Sequence, residues 1–168
     1  MSMGTGDNGA AAKGSVERLG AVLDRFGLDL EIKRFPASTR TAEDAAAAIG
    51  CTVAQIAKSI VFRGAETDRV VLVVTSGTNR VDEKKVAAAI GEPPGRADAA
   101  FVRERTGFAI GGVAPVGHRE TPVVLLDRDL RAHAEIWAAA GAPDAVFRLT
   151  PDQLAALTDA DWHDIRRA

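Results

Sequence analysis

At 168 residues the chain has room for one domain that can bury its own core. Its 21 Lys and Arg against 23 Asp and Glu leave a net charge of -2, which argues against a protein that holds nucleic acid through a broad basic surface. A lone cysteine, Cys51, excludes an intrachain disulfide and a cysteine metal cluster, and no apolar run approaches the ~18–20 residues that span a membrane.

The first 13 residues are Gly-, Ala- and polar-rich without periodicity, and read as a disordered tail ahead of a domain over 14–168. They hold no apolar segment of a secretory signal, so cytoplasmic residence is expected. Ser15 is placed to cap a helix carrying Val16, Leu19, Val22, Leu23 and Phe26 at helical spacing, closed by Gly27. Leu30, Ile32 and Arg34 suggest a short strand ending before Phe35-Pro36. Thr41 with Asp44 resembles a capping box for an Ala-rich helix to Ile49, closed by Gly50, and a helical turn over Thr52 to Ala57 follows.

Two β-branched runs, Ser59 to Phe62 and Val70 to Thr75, flank a polar segment and predict an antiparallel hairpin. After the turn Ser76-Gly77-Thr78-Asn79, Asp82 caps a helix over Glu83 to Ile90 and Asp98 caps another to Thr106. Glu92 to Gly95 reads as loop. The glycines and proline between Phe108 and Gly117 rule out one regular element there. Val123 to Leu126 predicts a strand, Ala132 to Ala140 a helix and Ala145 to Leu149 a strand. Thr150-Pro151-Asp152-Gln153 is a full capping box for a last helix. The pattern is that of a single α+β domain with about five to seven short strands. It lacks the steady alternation of a doubly wound sheet.

Of the five lysines, Lys58 alone is framed by apolar residues, with Val53, Ile56 and Ala57 before it and Ile60, Val61 and Phe62 after. In a strand starting there Lys58, Ile60 and Phe62 share one face. Such a lysine either snorkels its ammonium to water or points into a site that uses the charge. The stretch from Gly107 to Pro115 is the second candidate. Its paired glycines permit positive φ and close approach, so it is either a tight structural turn or a loop that aims successive N–H groups at an oxygen. It is neither a Walker loop nor a dinucleotide fingerprint. His118 reads as a solvated loop residue or a polar contact, and the Ser76 to Asn79 turn as an ordinary turn or a pocket wall. Cys51 has no recognisable base and reads as a small buried residue. The three histidines show no zinc spacing, so no metal is expected.

Lys58, the Gly77 turn, the Asp82-Glu83-Lys84-Lys85 helix start, Thr106-Gly107 and the run from Gly111 to Gly117 together resemble the YbaK/EbsC family of aminoacyl-tRNA editing domains. The resemblance covers about residues 28 to 158. It implies a compact α+β domain with a mixed, barrel-like sheet and surrounding helices. It also implies a free-standing hydrolase that removes a small amino acid, cysteine first among them, from mischarged tRNA(Pro) in trans of prolyl-tRNA synthetase. The family's lysine matches Lys58, and its catalytic loop matches Gly111, Gly112, Val113, Ala114 and Pro115. Ser76, Gly77, His118 and Phe35 are taken as contacts to the substrate. The implied partners are the 3′ aminoacyl end of mischarged tRNA and prolyl-tRNA synthetase, without metal, cofactor or membrane. The chain departs from the pattern where the cysteine-specific branch has an acidic residue and this sequence has Val146. It also has Ala114 where a serine often precedes the proline, so the amino acid removed stays open. The alternative is a non-catalytic module of the same fold that grips tRNA ends or a synthetase. The intact lysine and loop favour the enzyme.

Overall fold

The computed structural model describes residues 8–35 and 41–168, and side chains from residue 14 onward within them. The first helix, α1 (Asn8–Arg25), runs back through the segment read as a tail, so Ser15 lies inside it rather than at its cap. Ala10, Ala11 and Ala12 are the best helix formers, which accounts for the added turns. Residues 1–7 and Pro36 lie outside the described residues.

Around it come β1 (Ile32–Arg34), α2 (Ala42–Ile49), a 3-10 turn over Val53–Gln55, β2 (Ile56–Gly64), β3 (Val70–Ser76), α3 (Glu83–Ile90), β4 (Pro94–Arg96), α4 (Ala99–Thr106) and β5 (Val123–Asp127). A 3-10 turn over Arg128–Ala132 then leads to β6 (Ile136–Ala139), β7 (Ala145–Leu149), α5 (Pro151–Thr158) and β8 (Asp161–His163). Apart from Ser15, the N-caps read from the sequence hold. The Thr41 hydroxyl accepts from the Asp44 amide, Asp82 from Lys84 and Lys85, Asp98 from Phe101, and Thr150 from Gln153.

The helix expected over Ala132 to Ala140 is not there: its second half is β6. Alanine favours a helix in isolation, but Ile136 and Ala138 are buried between β2 and β7, and tertiary pairing overrides the local preference. Pro94 and Gly95, read as loop, belong to β4, which pairs with β2, and β8 brings the strands among the described residues to eight, above the expected count.

All eight strands form one mixed sheet in the order β1-β7-β6-β2-β3-β5-β8, with β4 paired to β2 off that path. The hairpin β2–β3 is antiparallel as predicted, while β6 joins β2, and β5 joins β3, in parallel. All seven residues of β3 are buried, as a central strand requires. The larger core lies on one sheet face, where Leu19 and Leu23 of α1, Phe108, Phe147 and Leu154 meet Leu72 and Val74. A smaller cluster of Val71, Val73, Val86, Leu125 and Ile165 fills the other face under α3. No described helix is long and apolar enough to cross a membrane.

Candidate functional site

On one edge of β2 a gap opens in the sheet. β6 pairs only with Ile56 and Ala57, and β4 only from Phe62 to Gly64, so neither pairs with residues 58–61. The even-numbered residues of β2 bond to β3, as the Gly77 amide to the Ile56 carbonyl and the Gly64 amide to the Arg69 carbonyl fix the register. The backbone groups of Ser59 therefore point into the gap.

That gap is one wall of a cavity of about 400 Å³. Ala42 and Ala45 of α2 close one side, and Trp137, Ala139 and Val146 line another. Val102, Gly111 and Val113 complete it from the far side. Lys58 and the glycine loop, separated by more than 50 positions in the sequence, thus meet across one hollow. Lys58 is the only charged side chain among the described lining residues. Its ammonium makes no ion pair or hydrogen bond with any described residue. A cation left unpaired beside apolar walls is available to an anionic or strongly dipolar ligand.

The loop is shaped by its glycines. Gly111 has φ 91°, and a Cβ on Gly112 would sit 2.7 Å from Cα of Ala142. The Gly112 amide donates to the Ala109 carbonyl at 2.9 Å and is spent on the turn, and Pro115 has no N–H. The amides of Gly111, Val113 and Ala114 donate to no described residue. Of the three, Gly111 and Val113 belong to residues that line the cavity, while Ala114 is fully buried and lies outside that lining.

The remaining expected contacts lie elsewhere. His118 and Pro115 line a second hollow of about 220 Å³ rather than the first. The His118 Nε2 is 2.6 Å from the Ala114 carbonyl oxygen, and its ring meets Phe108 edge-on at 5.4 Å. Burial pushes the imidazole pKa below its usual value, so the neutral ring donates from Nε2 and braces the loop from behind. The Ser76 hydroxyl donates to the Ala54 carbonyl, its amide donates to Asp127, and the Gly77 amide donates to Ile56. A side chain on Gly77 would collide with the Val53 carbonyl. Phe35 is half-buried, and its amide donates to the Asp144 carbonyl at 2.9 Å. None of these four residues is among those lining the cavity. Burial pushes the Cys51 thiol up, away from the reactive thiolate.

Two lining residues escaped the sequence reading. The Ser59 Oγ is buried without a hydrogen-bond partner, an uncommon state that a ligand would relieve. It adjoins Lys58, but alternate residues of a strand face opposite ways, so the apolar frame that marks the lysine does not mark Ser59. Trp137 sat in the segment read as helix.

Fold and cavity define a single-domain α+β protein in which, among the described residues, one cation and the loop residues Gly111 and Val113 line an apolar hollow. The aminoacyl-tRNA editing domain family matches residues 36–157. The uncharacterized protein YwhH of Bacillus subtilis is 35% identical over 136 residues, covering 80% of this chain and 86% of its own. A candidate trans-editing enzyme for prolyl tRNA synthetase has a crystal structure 46% identical in sequence, with a TM-score of 0.87 over 92% of this chain and 98% of that one. A scaffold protein from work on epitope backbone grafting is 41% identical, with a TM-score of 0.85 over 92% and 97%. The chain belongs to the aminoacyl-tRNA editing domain family.

Proposed function

We propose that this protein is a trans-acting deacylase that hydrolyses the ester of a small amino acid on mischarged tRNA(Pro), cysteine or alanine foremost. The observation that carries the reading is one alanine-lined cavity whose lining includes the unpaired Lys58 together with Gly111 and Val113, whose amides donate to no described residue.

An aminoacyl ester is already activated, so hydrolysis needs placement and stabilisation of negative charge more than a strong nucleophile. The amides of Gly111 and Val113 receive the carbonyl oxygen as it gains charge. Lys58 holds the ester's ribose side or the adjoining phosphate, and Ser59 offers its hydroxyl to the amino acid. Water adds to the carbonyl carbon, the bond to the ribose oxygen breaks, and the water's proton leaves with that oxygen. Ala42, Ala45, Ala139 and Val146 set the room for the side chain. One methylene in such a pocket is worth only ~1–3 kcal/mol, so selection by size is real but limited. A synthetase that hands over its released error would supply the affinity that a chain of net charge -2 lacks.

The test is a panel of Cys-, Ala- and Ser-charged tRNA(Pro) with the wild type and Lys58→Ala. At least one ester should be cleaved, and the variant should lose about 100-fold or more in kcat, as loss of one electrostatic stabiliser does. Lys58 is exposed, so the variant should fold normally. Cleavage of none, or full activity in Lys58→Ala, rejects the proposal.

A further inference from the structure

We infer that the outer face of β1, β7 and β6 beside the cavity is the seat of the single-stranded RNA end, with Lys33 and Arg148 contacting its phosphates. The proposal rests on the deacylase reading of the adjoining cavity and adds the surface that carries the polynucleotide.

Strand register puts these residues on one face. Trp137 pairs with Arg148 and with Ile56, and Lys33 pairs with Val146. Ile56 and Lys58 share a face of β2, whereas Ile32, Ala57, Ala138 and Phe147 point to the opposite face and join the larger core. Lys33, Arg148, Trp137 and Lys58 therefore stand on the same side of the sheet. Trp137 lines the cavity, and its ring ties the cations to that rim: the Lys33 Nζ is 5.3 Å and the Arg148 Cζ 6.0 Å from the ring centroid. Glu135, 3.0 Å from Arg148, is the one described carboxylate paired with any of these three cations. That pair is half-exposed on both sides and costs little to exchange for a phosphate.

A chain with a net charge of -2 thus keeps two of its five lysines unpaired on the face that borders its cavity. Charge complementarity selects a polyanion. The width of the stripe, two cations and one aromatic ring leading to a concave hollow, fits one strand arriving by its end rather than a duplex.

The experiment compares wild type, Lys33→Glu, Arg148→Glu and the double variant. Lys84→Glu, an exposed lysine on α3 outside the cavity, serves as the control of equal charge change. Binding is followed by anisotropy on tRNA(Pro) carrying an amide-linked, non-hydrolysable alanine across a range of salt. Hydrolysis is followed on alanyl-tRNA(Pro) and on alanyl-adenosine, which has no chain phosphates. Each reversal should weaken tRNA binding by about tenfold and lower the salt slope by about one. KM on alanyl-tRNA(Pro) should rise while kcat and hydrolysis of alanyl-adenosine hold. No binding by the wild type, or variants that bind like the control, overturns the inference. Binding that the reversals weaken, with no hydrolysis of any ester by the wild type, upholds the surface and overturns the deacylase reading alone.

Discussion

Glu92 accepts four hydrogen bonds on one buried carboxylate: from the amides of Glu66 and Thr67, the Thr67 hydroxyl and Nε of Arg69, all between 2.7 and 2.9 Å. Those donors, the Thr67 hydroxyl first, pull its pKa from the usual 4.5 to about 2 and lock the β2–β3 connection. The folded-state pKa is the lower one, so its contribution is fully present above about pH 4.5 and is lost as pH falls toward 2. Glu92→Gln should lower the melting temperature at pH 7 and flatten the acid limb between pH 4.5 and 2, read by circular dichroism across a pH series. Parallel curves for the two proteins would reject this role. The sequence marked Glu92 only as loop. Its partners lie about 25 positions away, and nothing local announces them.

At the scale of elements, the hairpin and the helices were legible because each carries its own punctuation: an Asx or Thr cap, a closing glycine, or β-branched alternation. β6 was not, because Ile136-Trp137-Ala138-Ala139 has the composition of a helix and becomes a strand only between β2 and β7. The same limit applied to the site. Lys58 and the loop were readable as separate oddities, but which face the loop shows is set by packing against Ala142 and His118. Gly111 and Val113 turn to one hollow, Pro115 and His118 to another. The break in pairing on β2 is measurable. The Ser59 amide should exchange with solvent far faster than those of Lys58 and Ile60, which bond to β3. Equal protection at the three positions, read by NMR hydrogen exchange, would mean that the gap is closed in solution.

The whole molecule is larger than its family-matched stretch. α1 and the C-terminal segment lie outside residues 36–157, yet Leu19, Leu23 and Ile165 are all but fully buried. Nη2 of Arg18 donates to the Gly107 carbonyl at 2.9 Å. Ile165 accepts from the Asp82 amide, and Lys85 reaches both Asp164 and the Arg166 carbonyl. Removing a large core side chain costs about 2–5 kcal/mol, so losing three approaches the roughly 5–15 kcal/mol that keeps a domain folded. A 36–157 fragment should lack a cooperative thermal transition while the full chain shows one. A sharp transition in the fragment would show that the flanks are dispensable.

The gap in β2 also bears on self-association. An open sheet edge usually invites another chain to add a strand, the first step toward aggregates. Here the opening spans only residues 58–61 and is stopped at one end by β6 and at the other by β4, which leaves no run long enough for a foreign strand to dock. The sheet can present unpaired backbone to a small ligand without presenting a template to a neighbour.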